Sequence, residues 1–193
     1  MSRALSALRS SDRYLRPAQL PSPAQLAALG TVLCLYRPES SELGGWQHAV
    51  SAHACQGVDS EGIRESLCFA DARGRCCWRL YLLPDSDFLA WDRLVSAYPA
   101  RPETAFEGGV AERLWRRLAT KLGNETWRMC ALRLQVGEGN RLAASLASLS
   151  SLGAATARRI ADVEGAEGEL WTDTAGFSAA ATPLLHLSSL RPS

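Results

Sequence analysis

The chain has little histidine, methionine or aromatic residue for its length: three histidines, two methionines and 7% Phe, Trp and Tyr among 193 residues. With only His48, His53 and His186 present, an imidazole-ligated metal or haem must draw on one of them. No charge dominates either. The balance of 21 basic against 20 acidic residues leaves no global field to draw the protein to nucleic acid or an anionic membrane surface. No apolar run approaches the ~20 residues that span a bilayer, which argues against a membrane protein. Residues 1–16 carry Arg3, Arg9, Arg13, Arg16 and Asp12 without the apolar stretch of a secretory signal, so the expected location is the cytoplasm. The absence of a C-x-x-C pair removes the zinc-ribbon and thioredoxin-like readings.

What remains is 47% apolar content, enough for one sizeable core. The expected organisation is a flexible arm over residues 1–20 and a single domain over 21–193. Of the six cysteines, Cys34, Cys68, Cys76, Cys77 and Cys130 lie in apolar or strand-like runs and read as free buried thiols.

Ser22, Pro23 and Gln25 have capping-box spacing ahead of a short helix that Gly30 closes. Thr31 to Tyr36 is apolar on both faces, as a buried strand should be. From Trp46 to Cys55 an alternation predicts a strand, with Trp46, His48, Val50 and Ala52 on one face and Gln47, Ala49, Ser51 and His53 on the other; helix is the alternative because alanine is common there. Leu67 and Phe69, the turn Asp71-Ala72-Arg73-Gly74, and Cys76, Trp78, Leu80 and Leu82 on one face of the return strand predict a hairpin. After Pro84, Asp85 or Ser86 caps a helix whose inner stripe is Phe88, Trp91, Leu94, Val95 and Tyr98.

A second amphipathic helix is expected at Leu114, Leu118 and Leu122, ending at Gly123, followed by a strand with Cys130, Leu132, Leu134 and Val136 on its core face. Beyond Gly137 the Ala/Ser/Leu-rich sequence predicts helix on either side of a break at Gly153. A short strand at ELWTD and a helical turn at PLLHLSSL complete the chain. Helices and strands mix without βαβ regularity, so the expected class is α+β with an antiparallel sheet and packed helices.

Residues 64–98 carry Ser66-Leu67-x-Phe69, Asp71-Ala72-x-Gly74, a strand ending in Tyr81-Leu82, the pair Ser86-Asp87, then Trp91 and Leu94-Val95. Upstream, Leu29-Gly30 enters a strand ending near Arg37. This pattern resembles the central segment of the cytoplasmic haem-utilisation proteins of the HemS/HmuS and HutX/ChuX type. A weaker likeness extends to Leu146 through Ile160, so that about half of the chain is covered. The resemblance implies an α+β domain like one half of a HemS-type protein, with haem or a related tetrapyrrole as ligand. It implies a carrier, with the haem degradation of some members as the alternative, and a homodimer that rebuilds a two-half arrangement. Where larger members carry Val-His-Lys this chain has Cys77, Trp78 and Arg79, and no histidine lies between Leu146 and Ile160. The ligand is therefore expected elsewhere.

His53 leads as axial and metal ligand, His48 follows, and His186 comes last. Tyr81 or Tyr36 offers a phenolate, Arg37 and Arg79 offer partners for propionates, and Trp78, Phe88 and Trp91 offer pocket walls. The alternatives are core packing for the aromatics and a solvated sheet edge for the arginines. His53 and Cys55 share a strand face and can form a two-ligand fragment. Two other functions stand beside haem: an interaction module that keeps the fold without a haem site, and a DNA-backbone contact through Arg158 and Arg159 if LSSLGAATARRIA is a helix-hairpin-helix element.

Overall fold

The computed structural model describes residues 20–59, 62–102 and 126–172. The expected helix around Leu114–Leu122, residues 1–19 of the expected arm and the turn bearing His186 lie outside the described residues. The chain runs α1 (Pro23–Ala27), β1 (Thr31–Tyr36), α2 (Gly44–His48), β2 (Ser51–Asp59), β3 (Gly62–Ala70), β4 (Cys76–Tyr81), α3 (Phe88–Val95) and β5 (Ala100–Pro102). It continues with β6 (Trp127–Val136), β7 (Leu142–Leu146), β8 (Ser148–Leu149), α4 (Ser151–Glu164), β9 (Ala166–Glu167) and β10 (Trp171–Thr172). One sheet has the order β5-β2-β3-β4-β1-β6-β7, with β9 joined to β6, and is antiparallel except at β5 and β9. The architecture is α+β, as the mixed pattern of elements implies.

Both faces of the sheet centre are buried, which is why β1 is apolar throughout. On one face Val32, Cys34, Leu67, Phe69, Trp78, Leu80 and Leu132 pack with Leu26, Leu29, Trp91 and Leu94 from the flanking helices. On the other, Leu33, Leu35, Tyr81, Trp127, Met129 and Ala131 meet Ala154, Ala157 and Ile160 of α4. β6 therefore buries both its faces, where one was expected to do so, and its terminal Val136 is exposed.

The hairpin is present, with one irregularity that controls the site. Phe69 pairs with Trp78 while Ala70 pairs with Cys76, so Cys77 is an extra residue. Such a bulge re-aims the side chains on either side of it. Cys76 turns to the α4 face and Cys77 to the helical face beside Trp78, which corrects the expectation that Cys76 and Trp78 share a face. The turn is tied by Asp71, whose carboxylate accepts from the backbone N–H groups of Arg73 (2.8 Å) and Arg75 (2.9 Å) and pairs with the Arg75 guanidinium. These contacts, led by the Arg75 N–H, hold its carboxyl below the usual range.

Several boundaries differ from expectation. Trp46 and His48 lie on α2 rather than on a strand, and β2 begins only at Ser51. Leu142–Leu146 is a strand, because five consecutive pairings with β6 outweigh the helical propensity of its alanines and leucines. Gly153 lies in the first turn of one unbroken helix, so no helix-hairpin-helix forms there. Asp87 caps α3 through Ala90 N–H; the buried Ser86 hydroxyl instead donates to Thr31 C=O and accepts from Leu83 N–H. Asp85 receives the N–H and hydroxyl of Ser150 at the start of α4. Phe88 is exposed and leaves Trp91 and Leu94 as the buried stripe of α3.

α2 docks directly on the bulge: a Cβ at Gly45 would collide with the Cys77 carbonyl oxygen and lie 2.7 Å from Trp78 Cβ. We expect Gly45→Ala to destabilise the fold by about 1–3 kcal/mol, the usual cost of overpacking, measured by chemical denaturation. Gly74→Ala in the open turn should cost about 1 kcal/mol, since only its φ of 74° opposes the substitution.

Candidate functional site

The register divides the sequence-level candidates into three places. Trp78 is wholly buried, packed on Phe69 at 4.9 Å between ring centroids, and its indole N–H donates to Glu42 C=O at 2.7 Å. It is a core residue rather than a pocket wall. Phe88 is exposed and Trp91 is buried with its N–H on Glu65, so neither lines an opening with it.

His53, Arg79 and Tyr81 come together on the α4 face. His53 pairs with Cys68 and Cys68 with Arg79, placing the three in one row across β2, β3 and β4. Arg79 donates to the Tyr81 hydroxyl at 3.2 Å and pairs with Glu164 of α4 at 2.9 Å. Arg64 reaches the other oxygen of the same carboxylate at 3.5 Å. Tyr81 is fully buried and its hydroxyl is engaged by Arg79, so it supports the face rather than opening onto ligand. Cys55 and Cys68 lie beside His53, and the ligand-capable atoms of the three are within 4.8 Å of one another. The Cys55 thiol, with burial, pushes Cys68 up to about 12, against the lowering influence of Cys76 and Arg79.

Arg37 and His48 meet at a third place, a cleft of about 560 Å³ where α2, the chain after β1 and the β3–β4 turn converge. Its size falls within the range of small-molecule sites. Arg37, Arg73 and Arg75 line it together with Glu39 and Asp71, giving one net positive charge, and Asp71 is already committed to the Arg75 side of the turn. The Arg37 guanidinium stacks 3.9 Å from the Trp127 ring centroid and donates to Cys76 C=O at 3.1 Å, which fixes its direction.

His48 Nδ1 lies 2.7 Å from the Gly44 carbonyl oxygen. A carbonyl only accepts, so Nδ1 carries the proton and the Nε2 lone pair of the neutral ring is left for a metal. A backbone carbonyl on the second ring nitrogen is the usual support for a ligating histidine. The cleft is lined by two thiols as well. Burial pushes Cys77 up to about 11, and the Cys68 thiol together with burial pushes Cys76 higher still. Both are protonated near neutral pH and would give up that proton only to a bound metal.

Sequence reasoning singled out Arg37 and His48, with helix as the alternative setting of His48, but missed Arg73 and Arg75. For the helical setting, the i to i+4 spacing of Gly44 and His48 was the available signal.

No family model matches the chain, and no curated protein matches it. The crystal structure of holo-PhuS, a heme-binding protein from Pseudomonas aeruginosa, superposes with a TM-score of 0.34 and 18% identity, over 54% of this chain and 42% of that chain. The chain thus spans less than half of that structure. No helix among the described residues is long and apolar enough to cross a membrane.

The Arg64–Glu164–Arg79 bridge ties α4 to β3 and β4 with side chains 7%, 13% and 21% exposed. Truncating Glu164 leaves two part-buried cations without this carboxylate. We expect Glu164→Ala to cost about 3 kcal/mol by denaturant titration, well above the ~0–1 kcal/mol of an exposed pair.

Proposed function

We propose that the protein binds haem or a related tetrapyrrole in the cleft beside the β3–β4 turn, with His48 Nε2 as the axial ligand. The observation that carries this reading is the 2.7 Å contact between His48 Nδ1 and the Gly44 carbonyl, which leaves Nε2 as the ligand nitrogen of a histidine that lines a cleft with three arginines. Arg73 is the cation best suited to a propionate, since Asp71 already holds Arg75 and Arg37 is engaged by the Cys76 carbonyl and the Trp127 ring. The resemblance of residues 64–98 to the haem-utilisation proteins supports the same ligand class, because that block supplies the turn and bulge that build one wall. His53 yields its place as the leading ligand: it stands in a different part of the sheet, among thiols, and is not a lining residue of this cleft.

A carrier is the role proposed. The cleft offers an imidazole, cations and neutral thiols, a set that holds a ligand without requiring turnover. Pairing of two copies, implied by the resemblance, belongs to the same proposal and is read by light scattering of the haem-loaded protein as twice the chain mass.

Haemin titration should give a saturable Soret shift at one equivalent. His48→Ala should weaken binding at least about tenfold, a change of roughly 1.4 kcal/mol. Arg73→Ala should weaken it by about threefold to fivefold, with a smaller effect at high salt. His53→Ala should leave the titration unchanged. A wild-type spectrum identical to free haemin, or full affinity in His48→Ala, contradicts the proposal.

A further inference from the structure

We propose that His53, Cys55 and Cys68 form a second, independent site, one that takes a thiophilic divalent cation of the zinc class with three protein ligands and an open fourth position. The site follows from register. His53 of β2 stands directly opposite Cys68 of β3, and Cys55 follows two residues along the same strand on the same face. Residues paired across antiparallel strands bring their Cβ atoms to about 4.5–5.5 Å, and the diagonal neighbour remains within reach. Here the three ligand atoms lie within 4.8 Å of one another. Tetrahedral zinc, with bonds of about 2.0–2.3 Å, needs ligand atoms roughly 3.5–3.8 Å apart, so side-chain rotations of about 1 Å close the set.

The donor chemistry selects the metal. Two sulfurs and an imidazole are soft to intermediate ligands that suit zinc or its spectroscopic substitute cobalt(II), and do not suit magnesium or calcium. Two thiolates balance a divalent cation, so binding creates a neutral centre, with two thiol protons released to solvent. That matters because Cys55 and Cys68 are buried and His53 half-buried. The support is rigid: β2 is held by β3 on one side and by β5 on the other, where Ala54 pairs with Ala100. A Cys2His set with a free fourth position matches catalytic rather than structural zinc sites, which fill all four positions with protein ligands.

The test uses the full chain, freed of metal by chelation and kept reduced with a phosphine. Cobalt(II) at one equivalent should produce thiolate-to-metal charge transfer in the near ultraviolet and the intense visible bands of a tetrahedral centre, both removed by zinc. Cys55→Ser and Cys68→Ser should lose the charge-transfer band. His53→Gln, at a half-buried position, should keep part of it with affinity reduced at least tenfold. Should a cysteine variant fail to fold, calorimetric zinc titration of the wild type in two buffers of different ionisation enthalpy replaces it: about two protons should be released per zinc bound. Absence of a cobalt spectrum in the wild type, an unchanged spectrum in all three variants, or zinc binding without proton release overturns the proposal. His48→Ala should leave cobalt binding intact, which separates this result from that for the haem cleft.

Discussion

The pairing of Phe69 with Trp78 is the constraint on which the rest of the structure depends. Side chains alternate across a strand, so one register decides the fate of every neighbour. Because Phe69 and Trp78 enter the core beneath the helices, Cys68 and Arg79 go to the opposite face, and β2 brings His53 beside them. The extra residue at Cys77 then lets Cys76 and Cys77 serve different surfaces at the hairpin end. A slip by one residue would bury Arg79 against Trp91 and Leu94 and expose the indole of Trp78, at a cost beyond the few kcal/mol by which domains of this size are stable.

The same pairing positions both candidate sites. α2 rests on the bulge through Gly45, and its last residue, His48, faces the cleft formed with the Asp71–Arg75 turn. On the other face α4 is anchored at both ends: Asp85 receives Ser150 at its start, and Glu164 bridges Arg64 and Arg79 at its finish. The thiol-rich row beside Arg79 therefore sits on a sheet whose covering helix is held in place. The cleft is open and carries charged side chains at its lining, whereas the His53–Cys55–Cys68 cluster is mostly buried. These are different chemical settings for an anionic planar ligand and for a compact cation.

The hairpin, β1 and the helix from Phe88 to Val95 were legible because their signals are local: a D-A-x-G turn, apolar residues on both faces, and helical spacing of Trp91 and Leu94. Other features were hidden because tertiary pairing decided them. His48 alternated plausibly as a strand residue, yet Gly45 allows a helical turn to approach Cys77 and Trp78 more closely than a residue bearing a Cβ could. Leu142–Leu146 is an alanine-rich helix former that β6 recruits as a strand. Cys76 changed face through a bulge that no spacing rule locates. His53 and Cys55 were recognisable as a pair, but their partner Cys68 depends on a register between strands, which a single chain pattern does not specify.

The central claim is that His48 presents Nε2 to a tetrapyrrole because Gly44 holds Nδ1. Long-range proton–nitrogen NMR of the chain labelled at the histidine rings, free and with the diamagnetic haem analogue gallium protoporphyrin, tests it most directly. The account predicts an Nδ1–H tautomer at His48 in the free protein and a large Nε2 shift confined to that ring on binding. An Nε2–H tautomer at His48, or a shift at His53 with His48 unmoved, would contradict it.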